Sequence, residues 1–313
     1  MKTILITGGL GFVGGRLSKA FSHHFKVIAS TRGEITPQIK SIFPDVSFVS
    51  HSALFDLKTF PEDVDIVIHL AAMNEHDCLS NPEQAIEVNI NQTRRLCDNA
   101  IASGVSRFIY FSTTHVYGRI EEGIVDENSL PRPIHPYAIT HRAAEDYVLA
   151  ALDSGKIKGE ILRLSNSFGC PVSPHIKRWT LLVNDIARQS VLNREIRLNS
   201  NGSQHRDFIT LEDVVDALKF LIDLDQSRFS ILNLSRGKSL TVLAMARLVA
   251  DAYKRFFGAN IEVTLPLAEQ ATPQKGFTIV PSSLNTLGFR HKDEVPRELD
   301  NLIAFCNKHF GVR

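Results

Sequence analysis

Three glycines near the start of the sequence have the spacing of a phosphate-binding turn. Gly8, Gly11 and Gly14 recur at every third position, directly after an apolar run and at the start of a helical pattern. Glycine lets the backbone turn tightly and approach a pyrophosphate, and the free amides of a helix N-terminus favour an anion. The motif therefore predicts a dinucleotide site, and a glycine-rich turn without a ligand is the alternative. The candidate contacts are Gly8, Gly11, Phe12, Val13 and Gly14.

The residues after the second apolar run bear on which dinucleotide is bound. An Asp or Glu at the end of the second strand holds the 2′-hydroxyl of NAD. Ser30, Thr31 and Arg32 stand there instead, so no carboxylate repels a 2′-phosphate and Arg32 can pair with one. The sequence leaves NAD and NADP open and modestly favours NADP, with Thr31 and Arg32 as candidate contacts. An ordinary polar loop is the alternative.

Short apolar runs alternate with helical patterns in the N-terminal half of the chain. The runs lie at residues 2–7, 27–30, 65–70 and 107–112. They are rich in β-branched or aromatic residues and lack polar alternation, which is typical of strands covered on both faces. Between the last two, Asn81 and Pro82 suit the start of a helix and Gly104 its end. This order predicts an α/β fold, a doubly wound parallel sheet of the Rossmann type.

The pattern becomes less regular after about residue 165. Amphipathic helices are predicted at residues 211–223 and 240–257. We expect residues 1–165 with about 207–233 to form the dinucleotide-binding domain. Residues of about 166–206 and 234–313 would then form a smaller C-terminal lobe that binds the substrate.

The composition excludes several classes of protein. The 313 residues include 35 Lys+Arg and 34 Asp+Glu, and a net charge of +1 provides no broad basic surface for nucleic acid. The hydrophobic fraction of 43% excludes disorder, and four widely spaced cysteines exclude a disulfide scaffold. No run is long enough for a membrane span or a signal peptide, and no metal-ligand motif is present. We expect a cytoplasmic protein without a nucleic-acid or membrane partner.

Further motifs follow the glycine triplet along the whole chain. They are residues 69–72 (His-Leu-Ala-Ala), residues 111–118, Tyr137 with His141, residues 162–169 and residues 202–208 with Asp213. Together they resemble the extended short-chain dehydrogenase/reductase family, the NAD-dependent epimerase/dehydratase group. The resemblance implies a nicotinamide cofactor, a nucleoside-diphosphate sugar as substrate and a homodimer.

The resemblance also assigns roles to individual residues. Thr113 takes the place of the catalytic Ser/Thr, and Tyr137 follows at the family's spacing (137 − 113 = 24) as the catalytic Tyr. Asn166 and Arg206 match residues that hold the sugar diphosphate. The segment that contacts the cofactor comprises Leu70, Ala71 and Ala72.

His141 departs from the family, because a lysine normally stands at its position. In the family that lysine hydrogen-bonds the nicotinamide ribose and stabilises tyrosinate. The pKa of an ordinary phenol lies about three units above neutral pH, so forming tyrosinate there costs roughly 4 kcal/mol. A neutral imidazole lowers this cost far less than an ammonium does. We expect His141 to orient the ribose or Tyr137, and to leave ketone reduction easier than alcohol oxidation. A member that has lost catalysis is the alternative.

The residues after Thr113 narrow the chemistry further. The family's dehydratases have an acidic pair there, whereas this chain has Thr114 and His115, so sugar 4,6-dehydration is disfavoured. His115 is a candidate acid or base, and both residues are candidate substrate contacts. His175 and Arg178 lie beside Trp179 where the family has its substrate loop, with packing of the lobe as the alternative.

The sequence thus predicts an NAD(P)-dependent epimerase or reductase of a nucleoside-diphosphate sugar. A reductase of a non-sugar carbonyl compound is one alternative, although Asn166 and Arg206 would then lack a diphosphate to bind. A non-catalytic nucleotide-binding or regulatory protein is the other, and it stays open because His141 replaces the family's lysine.

Overall fold

The computed structural model describes residues 1–55, 60–224, 227–266 and 275–311. The strands are β1 (Thr3–Thr7), β2 (Lys26–Thr31), β3 (Val46–Ser50), β4 (Ile66–His69), β5 (Arg107–Thr113), β6 (Gly123–Val125), β7 (Lys158–Leu164), β8 (Asn166–Phe168), β9 (Glu195–Arg197), β10 (His205–Thr210), β11 (Ile231–Leu234), β12 (Ser239–Thr241), β13 (Glu262–Thr264) and β14 (Phe277–Ile279). The helices are α1 (Phe12–Phe21), α2 (Pro37–Ile42), α3 (Glu75–Ser80), α4 (Pro82–Ala85), α5 (Gln92–Ala102), α6 (Pro136–Asp153), α7 (Leu182–Asn193), α8 (Leu211–Asp223), α9 (Val242–Phe257), α10 (Ser282–Leu287) and α11 (Val295–Phe310).

The described residues divide into two compact units that are each discontinuous in sequence. The first unit contains Met1–Arg119, Glu127–Leu164 and Lys219–Asn233. The second contains Ile120–Asp126, Ser165–Leu218 and Leu234–Arg313. Residues 120–126 belong to the second unit, where β6 pairs with β14. The division of dinucleotide and sugar binding between two domains stays a prediction.

The first unit is built on a seven-stranded sheet in the order β11-β7-β5-β4-β1-β2-β3. The pairings from β3 through to β7 are parallel. Strands β2 and β3 extend the sheet on one side of β1, and β4, β5 and β7 extend it on the other. The position beside β1 where the strand order reverses is the switch point at which such sheets bind ligands. The predicted α/β fold with a parallel Rossmann-type sheet is confirmed.

The central strands are buried along their whole length, which explains their continuous apolar sequences. Every residue of β1, β4 and β5 is buried. Helices cover both faces of a parallel sheet, so no strand position has to be polar. The four apolar runs that the sequence predicted as strands are β1, β2, β4 and β5.

The helix predicted from Asn81 to Gly104 is interrupted. Asn81 caps α4 by accepting the amide of Gln84 at 3.1 Å, as its sequence indicates. A π-helical segment then occupies Ile86–Asn91 before α5 continues to Ala102. Hydrophobic spacing does not reveal such a segment. Its effect is to bury the amide side chain of Asn89, whose contacts are described below.

The second unit has its own hydrophobic core between helices α7, α9 and α11. Trp179 belongs to this core, with its ring 4.9 Å from Phe310 and 6.0 Å from Phe305. The predicted helix at residues 211–223 coincides with α8, and the one at 240–257 with α9. No helix in the described part of the chain is long and apolar enough to span a bilayer.

Candidate functional site

The glycine turn between β1 and α1 has the shape of an anion cradle. Gly8 has a left-handed φ of 65°, and the amide of Gly11 donates to the carbonyl of Gly8 at 2.8 Å. A Cβ on Gly14 would overlap that same carbonyl oxygen, so only glycine fits. Helix α1 begins without a side-chain cap at Gly11, which leaves its first amides available to a phosphate. Phe12 is buried and Val13 half-buried at this helix start.

We expect Gly14→Ala to damage this turn. The new methyl group must displace the backbone of Gly8, which lowers the free energy of unfolding by about 1–3 kcal/mol and weakens dinucleotide binding at least about tenfold. Gly33→Ala is the matched control, because no atom lies within 4 Å of a Cβ there. Thermal unfolding and calorimetric titration measure both quantities. Equal behaviour of the two variants would contradict the tight fit.

Hydrogen bonds fix the segment that follows β4. The amides of Leu70 and Ala71 donate to Oγ1 of Thr7 at 3.1 and 3.2 Å. Oγ1 of Thr7 in turn lies 2.6 Å from Nδ1 of His69, a fully buried ring whose pKa burial lowers to about 3. Leu70, Ala71 and Ala72 are therefore held beside the glycine turn, half-buried.

The direction of these hydrogen bonds follows from the neighbours of His69. Thr93 donates its hydroxyl to the carbonyl of Asn89 at 2.7 Å, so Nε2 of His69, 2.9 Å away, must be the donor to Oγ1 of Thr93. Nδ1 of the neutral ring then accepts the hydroxyl proton of Thr7.

Asn89 ties the segment after β4 to helix α6. Its Oδ1 accepts the amide of Met73 at 2.8 Å, and its Nδ2 donates to Oγ1 of Thr140 at 3.0 Å. These bonds give Asn89 a structural role. The π-helical segment is what aims the side chain inward.

The end of β2 offers a cation and no carboxylate. Thr31 is half-buried, and its Oγ1 accepts the amide of Gly33 at 3.1 Å, while Arg32 is exposed. His51, at the end of β3, donates its amide to the carbonyl of Thr31 at 2.7 Å. Burial lowers the pKa of the His51 ring, the hydrogen bond that Nε2 donates to Oε1 of Gln92 at 3.3 Å raises it, and the positive charge of Arg32 lowers it further.

Thr113 ends β5 and shapes the turn that follows. Its side chain is buried, and its Oγ1 accepts the amide of His115 at 3.2 Å, which starts a 3₁₀ turn over Thr114–Tyr117. Its hydroxyl hydrogen can be donated to a substrate oxygen. Thr114 is buried and His115 half-buried.

Helix α6 brings Tyr137 and His141 to the same place. Pro136 occupies its first turn, and His135 caps it by accepting the amide of Ala138 at 3.4 Å. The Tyr137 ring lies 6.2 Å from that of His115 and 4.5 Å from that of His141. The structure thus brings the turn after Thr113 against Tyr137, as the predicted site requires.

His141 is a buried residue of helix α6. Its side chain is only 2% exposed, and its Nδ1 lies 2.8 Å from the hydroxyl of Tyr110 on β5. Burial, together with the charge of His115, lowers the pKa of His141 to about 3, so the ring is neutral at any ordinary pH.

Sequence reasoning missed Tyr110 and His135. Tyr110 looks like any apolar residue of a buried strand, and His is not a typical helix cap. The proline after His135, at the preferred first position of a helix, was the one available signal for that cap.

The candidate substrate residues are divided between the units: Thr114 and His115 belong to the first, and Asn166, His175, Arg178 and Arg206 to the second. Asn166 on β8 donates its Nδ2 to the carbonyl of Asp207 at 2.9 Å, and β8 pairs with β10, which carries the half-buried Arg206. His175 is exposed and Arg178 half-buried in the segment before α7. The side chain of the neighbouring Trp179 packs into the core of the second unit, which agrees with the alternative that this residue packs the lobe. No metal-binding cluster of His, Cys, Asp and Glu occurs among the described residues.

Comparison with known proteins decides the family. The model of the NAD dependent epimerase/dehydratase family matches residues 4–234. The chain belongs to this family.

Curated members of the epimerase/dehydratase family are similar over most of the chain. A dTDP-D-glucose 4,6-dehydratase of Bos taurus is 28% identical, covering 99% of this chain and 90% of its own length. A putative UDP-glucose 4-epimerase of Methanocaldococcus jannaschii is 26% identical over 76% of this chain and 78% of its own.

Solved structures share the fold. A UDP-N-acetylglucosamine 4-epimerase from Methanobrevibacter ruminantium, in complex with UDP-N-acetylmuramic acid, superposes with a TM-score of 0.82 at 21% identity, covering 99% of both chains. MoeE5 in complex with UDP-glucuronic acid and NAD superposes with a TM-score of 0.80 at 23% identity, covering 98% of this chain and 99% of that one. At these identities the likeness concerns the fold.

Proposed function

We propose that the protein is an NAD(P)-dependent epimerase or reductase that acts on a nucleoside-diphosphate sugar. The observation that carries the proposal is the placement of Tyr137 against the turn that Thr113 starts, 6.2 Å between the rings of Tyr137 and His115. The glycine cradle, whose helix α1 has no side-chain cap, fits a dinucleotide pyrophosphate. The names of the relatives support the substrate class.

Each residue has a separate task in this proposal. The bound cofactor supplies hydride transfer. Thr113 donates a hydrogen bond to the reacting oxygen, and Tyr137 gives a proton to that oxygen during reduction or takes one during oxidation. Arg206 forms charge-assisted hydrogen bonds with the diphosphate, to which Asn166, His175 and Arg178 contribute.

Sugar 4,6-dehydration is not part of the proposal, although several relatives are named dehydratases. Elimination of water requires an acid and a base after Thr113. The side chain of Thr114 is neutral and buried, so His115 is the single titratable group of the pair. Epimerisation and ketone reduction require only hydride transfer and the proton of Tyr137.

The choice between NAD and NADP depends on the end of β2. MoeE5 is bound to NAD, which gives no support to a preference for NADP. Our proposal of NADP rests on the exposed Arg32 and on the lack of a carboxylate from Ser30 to Arg32. Tighter binding of NAD than of NADP would refute that preference without affecting the rest.

We further propose a homodimer that forms through α6 and the neighbouring π-helical segment. Ile139 and Tyr147 on α6 are 49% and 51% exposed, and Ile86, on the π-helical segment that contacts α6, is 50% exposed; such exposed apolar side chains are typical of an interaction surface. Sedimentation analysis tests the dimer.

We also propose a cytoplasmic location. The four cysteines are all free, as is usual in a reducing cytoplasm: Cys78, Cys97, Cys170 and Cys306.

A thermal-shift screen tests the function. The protein is heated with NAD or NADP, alone and with UDP-, GDP- and dTDP-sugars. We expect a dinucleotide to raise the melting temperature and one sugar class to raise it further. A response to dinucleotide alone, with turnover of a simple ketone, would favour the non-sugar reductase. Binding without any turnover would favour the regulatory alternative.

The direction of catalysis is a prediction of its own. Because His141 is neutral, it supplies no positive charge to the tyrosinate that alcohol oxidation needs, whereas reduction uses the phenol as it stands. We expect His141→Lys to raise the rate of oxidation at neutral pH about tenfold and to change reduction less than about threefold. Hydride transfer is followed by nicotinamide absorbance in both directions. An equal gain in both would contradict the argument.

A further inference from the structure

Tyr110 and His141 form a buried hydrogen-bonded pair. The hydroxyl of Tyr110 lies 2.8 Å from Nδ1 of His141, and each side chain is only 2% exposed. Burial raises the pKa of Tyr110 well above its usual value, so the phenol keeps its proton. The hydroxyl of Tyr110 has no other hydrogen bond among the described residues, so its O–H is the donor and Nδ1 the acceptor; the reverse direction would leave both the phenol hydrogen and Nε2 without a partner.

This assignment determines which ring nitrogen of His141 carries the hydrogen. A neutral imidazole carries one N–H, and an Nδ1 that accepts a hydrogen bond leaves that hydrogen on Nε2. Nε2 is buried, and no hydrogen-bond partner lies within reach of it among the described residues. A buried N–H without a partner destabilises the folded protein, so even a weak acceptor close to the ring would stabilise it.

The ring of Tyr137 is placed to be that acceptor. Its centroid lies 4.5 Å from that of His141, and the planes are inclined at 68°, an edge-to-face arrangement. N–H groups interact favourably with the face of an aromatic ring in this geometry. The depth of Nε2 also argues against a direct bond to the cofactor, because this atom is not exposed where a ribose could reach it.

We propose that Tyr110 is a positioning residue, which fixes the His141 tautomer so that Nε2–H supports the ring of Tyr137. The pair takes over one task of the family's lysine, the placement of the tyrosine, and supplies no charge. The catalytic part rests on the proposed function of Tyr137, whereas the tautomer does not. His69 stacks on Tyr110 at 5.7 Å and 27°, which helps to hold the phenol in place.

The first test is nitrogen-15 NMR of the histidine rings in the ligand-free protein. We expect His141 to show a single tautomer with hydrogen on Nε2, and Tyr110→Phe, which retains the stacked ring, to relax it to a mixture. Tyr117→Phe is the matched control, since that variant removes another buried hydroxyl, which donates to Asn233 at 2.6 Å. Hydrogen on Nδ1 in the wild type, or an unchanged tautomer in Tyr110→Phe, would overturn the proposal.

Kinetics test the consequence for Tyr137. We expect Tyr110→Phe to lower kcat of reduction about tenfold and to change KM for the cofactor less than about threefold. Tyr253→Phe, at another buried tyrosine in the core of the second unit, should stay close to wild type in both. A raised cofactor KM at unchanged kcat, together with a shift of the Nε2 signal on cofactor binding, would show that His141 bonds the ribose and would refute the positioning role. If no cofactor binds while the tautomer result holds, the proposed function fails and the tautomer assignment stands.

Discussion

Tyr137→Phe is expected to lower turnover by about 10²–10⁴-fold, the usual contribution of a positioned acid or base. The phenylalanine keeps the ring that packs 4.5 Å from His141 and loses only the hydroxyl that carries the proton. Dinucleotide binding should therefore remain within about threefold of wild type, since the glycine cradle lies on other elements. Single-turnover hydride transfer and calorimetric titration measure the two effects.

The same helix provides the control for this variant. Tyr147 lies ten residues later on α6 and is 51% exposed, so Tyr147→Phe removes a hydroxyl from the same helix without touching the site. We expect it to retain full activity. Unchanged turnover in Tyr137→Phe would remove this residue from the mechanism, and the non-catalytic alternative would then be preferred.

Glu145→Gln is expected to have the largest effect on stability. Glu145 on α6 accepts two hydrogen bonds from Arg163 on β7, at 2.9 and 2.8 Å, and both side chains are almost completely buried. Loss of one partner of a buried ion pair leaves an uncompensated charge and costs about 3–5 kcal/mol. Urea unfolding followed by circular dichroism measures the change.

Two further variants separate charge burial from packing. Asp98→Asn breaks the exposed pair with Arg94 on α5, and we expect a loss below about 0.5 kcal/mol. The double variant Glu145→Leu with Arg163→Met removes both charges and should recover most of the stability that Glu145→Gln loses. A double variant less stable than Glu145→Gln would show that the ion pair itself, and not an isolated charge, is what stabilises the sheet.

The sheet and the glycine turn were predictable because local signals determine them. The four apolar runs could only be strands covered on both sides, and Gly14 leaves no room for a side chain beside Gly8. The spacing between Thr113 and Tyr137 pointed to a shared site, and the structure places the following turn against Tyr137.

The surroundings of these residues were beyond sequence reasoning. His141 invited a comparison with lysine, but whether it faces solvent, the ribose or Tyr137 depends on the tertiary position of Tyr110, 31 residues earlier in the chain. The π-helical segment at Ile86–Asn91, which contains the buried Asn89, was likewise not predicted. Long-range hydrogen bonds of this kind leave no periodic trace in a sequence.

The last strand of the large sheet has a consequence for how the protein is made. β11 pairs with β7, yet it follows β7 only after more than sixty intervening residues, so the edge of β7 stays open while the ribosome is still producing the second unit. Until Ile231–Leu234 emerges, that open edge is a surface on which nascent chains can pair with one another. A chain that stops after residue 218 should therefore aggregate even though six of the seven sheet strands are complete.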